Sequence, residues 1–192
     1  MADAVDIITL DEAKTFLNML GTASDTELPD FITAASRMWT QRVGPVNSTA
    51  FDEWHDGYGS RIMLRHTPVL TVTLVEESYG PILYTLTETY GTWTYTLDES
   101  TGLLTRRAVG VAIPFARGQR NIHVTYTAGY ATPPADIKKA VGVLLLHLWE
   151  TQRGGAKRFG QGGTDDYHPV SAYGWPSRAE EAAAAYLVPG IA

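Results

Sequence analysis

Residues 135 to 149 read ADIKKAVGVLLLHLW. No other stretch constrains the fold as strongly. On a helix, Ile137, Ala140, Val141, Val143, Leu144, Leu145, Leu146, Leu148 and Trp149 cover almost the whole circumference. Only Lys138, Lys139 and His147 interrupt them. A helix that is apolar all round must be covered on several sides. Two N-terminal helices, a sheet or a partner chain are available to cover it. Pro134 suits its first turn, and Asp136 complements the positive end of its dipole. The apolar run is shorter than the ~20 residues that span a bilayer, so no membrane partner is expected.

Upstream, Thr9-x-x-Glu12 forms a capping-box pattern that opens a helix. Leu10, Ala13, Phe16, Leu17 and Leu20 then share one face, with Gly21 placed to end it. A second helix is predicted from Ser24-x-x-Glu27, with Leu28, Phe31, Ile32, Ala35, Met38 and Trp39 as its stripe and Gly44-Pro45 as its stop. From residue 50 the apolar period becomes two. Leu70, Val72 and Leu74 alternate with Thr71 and Thr73; Trp93, Tyr95 and Leu97 alternate with threonines; Ile122, Val124 and Tyr126 share a face. Turn signals stand at His55-Asp56-Gly57, Ser78 to Pro81, Tyr90-Gly91 and Thr101-Gly102. The segment reads as an antiparallel meander of roughly five to seven short strands.

After Arg153 the sequence is glycine-rich and without period, then closes on a short alanine-rich helix opened by Ser177-x-x-Glu180. Such a short helix is marginal alone, so it is expected to dock. The predicted fold class is α+β: a helical core with an inserted antiparallel β-domain. The expected divisions are 1–49 for the N-terminal helix pair, 50–128 for the insert, 129–153 for the central helix and 154–192 for the long loop and docking helix.

The 192 residues carry no cysteine, which excludes disulfides, thiolate metal sites and a Cys nucleophile. A net charge of -6 argues against tight, sequence-independent wrapping of DNA. The opening MADAVDIITL has no signal-peptide pattern. No G-x-S-x-G elbow or phosphate-binding loop is present. Asp165, Asp166 and His168 lie in the glycine-rich loop with nothing to preorganise them for a metal. His66 and His123 fall in strands, and His147 reads as a satisfied core or interface histidine. Glu76-Glu77, Glu180-Glu181 and Asp165-Asp166 read as solvated carboxylates. No catalytic, cofactor-binding or metal-ligating set is therefore expected. Trp54, Tyr58, Tyr84, Tyr90, Trp93 and Tyr95 read as cross-strand packing, with a carbohydrate or receptor platform as the alternative. Arg153, Lys157 and Arg158 form a small basic cluster suited to DNA or an acidic partner.

In order, ITLDEAKTFLNMLGTASDTELPDFITAAS, LRHTPVLTVTLVEE, Tyr126-x-Ala-Gly-Tyr130 with Pro134-x-Asp136-Ile137, and WPSRAEEAAAAYLVPGIA resemble the head–tail connector (adaptor) proteins of long-tailed bacteriophages. The resemblance covers nearly the whole chain and is loosest over 77–120. It implies a structural protein rather than an enzyme, without cofactor. It implies a homo-oligomeric ring, commonly a dodecamer, bound to the portal protein. That ring extends the channel for genomic double-stranded DNA and offers a surface to a head-closure or tail protein. The expected location is the virion neck, with host cytoplasm during assembly. A head-closure or tail-completion role is the alternative within the neck. Tyr173, Trp175, Arg178, Tyr186 and Trp149 are the expected partner contacts, because aromatics and arginine dominate interface hot spots.

Overall fold

The computed structural model describes residues 3–88, 94–153 and 175–187. It divides into two compact units: Met1–Val43 with Pro133–Ala192, and Gly44–Thr132. The chain is a mixed α+β protein.

The first unit holds four helices among the described residues: α1 (Leu10–Phe16), α2 (Leu28–Val43), α3 (Ala135–Arg153) and α4 (Ser177–Ala184). The capping box forms at α1. Thr9 Oγ1 accepts the Glu12 N–H at 3.2 Å, and the Thr9 N–H donates to the Glu12 carboxylate at 2.8 Å. Lys138 Nζ, on α3, also meets that carboxylate at 2.8 Å. The Lys138 hydrogen bond, with help from the Thr9 N–H, holds Glu12 below the usual carboxylate range.

Helix α1 stops at Phe16 instead of running on to Gly21. Asn18 takes the left-handed conformation, with φ 52°. The Asn18 N–H reaches back to the Thr15 carbonyl and the Met19 N–H to the Lys14 carbonyl. Those two bonds satisfy the last carbonyls of the helix as a Schellman motif does, with asparagine in the glycine position. Leu20 therefore falls outside the helix and is 104% exposed, instead of joining the apolar face.

Along α2, Leu28, Ile32, Ala35 and Trp39 are buried, and Gly44 at φ 116° ends the helix. Ser36 is buried with them, its hydroxyl accepting the Ile7 N–H at 3.1 Å. On α3, Ile137, Ala140, Val141, Leu144 and Leu145 are buried against the other helices of the unit. Gly142 permits the closest approach, since a Cβ there would lie 2.7 Å from the Phe16 ring. Leu146 is exposed, and Val143, His147, Leu148 and Trp149 are half-buried. The described residues of one chain thus leave part of this circumference uncovered.

The second unit holds eight strands among the described residues, more than the five to seven expected. They are β1 (Thr49–Gly57), β2 (Arg61–Met63), β3 (Val69–Tyr79), β4 (Ile82–Thr85), β5 (Thr94–Asp98), β6 (Leu103–Ala108), β7 (Val111–Ala112) and β8 (Gly118–Ala128). One sheet has the order β1-β8-β3-β4, the other β2-β6-β5 with β7 beside β6. All these pairs are antiparallel. Val75, Ile122, Val124 and Tyr126 of the first sheet share one core with Ile62, Tyr95 and Leu104 of the second.

Two readings of strands change. His55-Asp56-Gly57 is not a turn: it lies in β1, with an irregularity in the register between His55 and Gly57. In β3 the register shifts twice, so Val69, Val72, Val75 and Glu77 stand opposite the inward residues Ala128, Tyr126, Val124 and Ile122. Leu74 stands opposite Thr125, on the other face from Val72. A strict period of two cannot reveal a bulge, which inserts one residue and reverses the phase beyond it. At the ends of the unit, Asn47 bridges Tyr130, whose N–H donates to the Val46 carbonyl at 2.8 Å.

Candidate assembly surfaces

Trp39, fully buried on α2, organises the packing of α4. The Trp175 ring lies 5.9 Å from it and the Tyr186 ring 6.5 Å, centroid to centroid. Arg42 sits over the Trp175 ring at 5.0 Å and pairs with Glu180 at 2.7 Å. A cation held over an indole face in this way is attracted by the ring quadrupole. Tyr186 donates its hydroxyl to the Asp136 carboxylate in the first turn of α3. That hydrogen bond, the largest influence on the group, keeps Asp136 below the usual carboxylate range. Ala179 and Ala183 are the buried positions of α4. The small alanines let the helix backbone lie close to its neighbours.

Among the expected contact residues, Trp175 and Tyr186 are thus engaged within their own unit. Arg178 is exposed and has no ion pair among the described residues. Trp149 is half-buried at the far end of α3, edge-on to Phe31 at 5.0 Å. Tyr173, Lys157 and Arg158 lie outside the described residues, as does the side chain of Arg153. The capping box expected at Ser177 does not form. The N-cap is Pro176, with no side-chain cap, and Glu180 turns to Arg42 instead. His147 is not satisfied as expected: its Nε2 is buried with no hydrogen-bond partner among the described residues.

The second unit hides two polar networks that the sequence does not announce. Glu77 is 0% exposed, not a solvated carboxylate. Arg106 donates to it through Nε at 2.9 Å and approaches it through Nη2 at 2.7 Å. The Ala116 N–H donates to the other oxygen, and Arg106 Nη1 reaches the Pro114 carbonyl at 3.0 Å. Glu53, likewise buried, accepts the Tyr126 hydroxyl at 2.6 Å and faces His55 Nε2 at 3.0 Å. Burial, then the Glu53 carboxylate, pushes the Tyr126 phenol well above its ordinary range. These interior contacts pin strands together. On the outer face, His123 lies between Asp52 at 3.0 Å and Glu76 at 3.3 Å, with Trp54 stacked on it at 4.5 Å.

Among the described residues, Tyr95, Trp54 and Tyr84 do not form one platform. Tyr95 is in the core, Trp54 covers His123 and Tyr84 meets Tyr79 edge-on; Tyr90 and Trp93 lie outside the described residues. Among the described residues no group of three or more histidines and carboxylates is arranged to hold a metal. No described helix is long and apolar enough to cross a membrane.

Comparison with known proteins gives a consistent result. The chain is similar over its full length to a protein in the neck of an empty GTA particle computed with C6 symmetry, at 18% identity and TM-score 0.60, covering 95% of that chain. It is similar to one in the virion of a native gene transfer agent (GTA) particle, at 17% identity and TM-score 0.63, covering 94%. A third match is to the neck of a native GTA particle computed with C12 symmetry, at 17% identity, TM-score 0.56 and 94% coverage. At these identities the likeness is one of fold. No curated protein is significantly similar. The sequence profile of the head completion protein family matches residues 6–179, so the chain belongs to that family and is a structural protein, not an enzyme.

Proposed function

We propose that this protein is a head–tail connector (adaptor) that binds the portal vertex as a ring. It extends the DNA channel and offers a docking surface to the next neck or tail protein. The observation that carries the reading is the full-length fold similarity to proteins of necks computed with sixfold and twelvefold symmetry. A twelve-membered ring in the virion neck, built in the host cytoplasm, is the corresponding assembly. The partly uncovered face of α3 around Leu146 and Trp149 supports it, because a neighbouring subunit gives such a face its cover. The net charge of -6 suits a channel that lets DNA slide without gripping it.

Arg178, Tyr173 and the basic residues Arg153, Lys157 and Arg158 are the proposed contacts to portal or DNA. Trp175 and Tyr186 act by holding α4 in position to present Arg178. A head-closure or tail-completion role is the second reading, favoured by the family's own description as head completion proteins. The test is electron microscopy of particles carrying a labelled chain. Label directly beneath the portal is expected. Label on the capsid face or tail tip refutes the neck role, and label one layer further out favours the second reading. Arg178→Glu should weaken binding to purified portal, while unchanged binding removes Arg178 from the contact.

A further inference from the structure

Strands β6 and β7 are joined by a two-residue turn, Val109–Gly110, with φ 47° and 80°. Positive φ at both central residues is the type I′ pattern, which favours asparagine or aspartate followed by glycine. A β-branched residue there is a genuine outlier. The left-handed conformation brings the Cβ of an L-residue too close to the following carbonyl oxygen. The side chain recovers little of that within its own chain: Val109 is 78% exposed and Val111 66%. Strain held without an internal return points to an external use.

The base of the hairpin carries unused charge. Arg61 stands opposite Thr105, and Arg107 lies two residues further along β6 on the same face. Neither arginine has an ion pair among the described residues, and Arg107 Nε is buried without a hydrogen-bond partner. The tip is an apolar knob on a cationic base.

The helical unit carries a surface of opposite character. A cleft at the end of α1 is lined by Asp11, Lys14, Thr15, Asn18, Met19 and Leu20. Lys14 is already engaged by Asp25 at 2.5 Å. Asp11 is exposed without an ion pair among the described residues, and Leu20 is held outward by the left-handed stop at Asn18. The cleft thus offers apolar surface beside an unneutralised carboxylate.

We infer that the Val109–Val111 hairpin of one copy seats in the Asp11–Leu20 cleft of the next copy, with Arg107 meeting Asp11. Knob and cleft are different patches of one chain, so the contact is head-to-tail, the kind that repeats around a ring. The inference rests on the neck reading and names the surface through which neighbours meet.

The chain has no native cysteine, so V109C with L20C gives an unambiguous cross-link. Particles carrying the double variant, treated with a short bismaleimide, should show a ladder of multiples on a denaturing gel. Neither single variant should. A monomer band alone, or a monomer linked to itself, overturns the contact. Presence of the double variant in particles without a ladder sinks only the contact; absence of the unsubstituted chain from particles sinks the neck reading and the contact with it. Reversal of Arg107 to Glu should lose incorporation, and adding Asp11→Arg should restore it. V109N relieves the turn, so it should raise Tm while reducing the ladder in a V109N, L20C, V111C background relative to L20C, V111C. A lowered Tm with an unchanged ladder means that Val109 serves its own hairpin, and overturns the inference.

Discussion

Arg106→Met removes the cation that faces Glu77 and leaves that carboxylate enclosed. Glu77 is completely buried, and the Arg106 side chain is 3% exposed. With one partner gone, the Ala116 N–H remains the only polar contact to Glu77 seen among the described residues. Breaking a buried pair from one side costs about 3–5 kcal/mol. That is a large share of the ~5–15 kcal/mol by which a domain is stable. Glu77→Met should cost a similar amount, because it strands the guanidinium and the Ala116 N–H together. The double variant should do better than either. Replacing both ions by apolar side chains of comparable volume is neutral or favourable by ~1–4 kcal/mol. Against this stands the orphaned Ala116 N–H, at about 1–3 kcal/mol. The double variant should therefore fall within ~2 kcal/mol of the parent, and the cycle should show coupling of at least about 2 kcal/mol. Urea unfolding of the four proteins at neutral pH measures it, with hydrogen exchange at the Ala116 amide as a local probe. Single variants that each lose less than about 1 kcal/mol, or a double loss equal to their sum, would refute the reasoning.

Two further outcomes follow from the packing and the charges. Gly142→Ala gains about 1 kcal/mol of helix propensity but sets a Cβ 2.7 Å from the Phe16 ring, so overpacking of ~1–3 kcal/mol should prevail and lower Tm; a raised Tm would show that the ring yields freely. At His123, burial draws the imidazole down, but hydrogen bonds to Asp52 and Glu76 outweigh it and the net shift is upward. Its contribution is therefore complete below the ordinary histidine value of about 6.5 and fades as pH rises through the folded value. His123→Gln should flatten the stability profile across that window, and an unchanged slope in urea midpoints against pH would discard the assignment.

What was legible in the sequence was whatever a local pattern reports. Thr9 and Glu12 sit three positions apart in one turn, so their reciprocal bonds can be read directly. Ile122, Val124 and Tyr126 keep an uninterrupted period of two, and all three are buried. Features set by distant partners were not legible. Glu77 is buried because Arg106 and Ala116 come to it from 29 and 39 residues away, and nothing beside it in the sequence marks this. The end of α1 was misplaced because asparagine does at position 18 what glycine was expected to do at 21. The phase of β3 was misread at Leu74 because the bulges exist only in relation to β8. Of the surfaces, aromatic and arginine content pointed to the C-terminal helix. The Val109–Gly110 hairpin lacks the Asn-Gly signature that would have drawn attention to it.

The meeting of Val46 with Tyr130 bears on how the chain folds. Helices α2 and α3 pack on each other although about ninety residues separate them. Closing a flexible loop of that length carries an entropy cost that grows as the logarithm of its length. Once β1 has paired with β8 and Tyr130 has joined Val46, the same helices are tethered by only a few free residues. By the logarithmic rule, shortening the loop from ninety residues to about five lowers the closure cost by ~2.6 kcal/mol. Pairing of β1 with β8 and packing of the helices should accordingly favour each other, so a lesion in the β1–β8 pairing would weaken the closure of helices it does not touch.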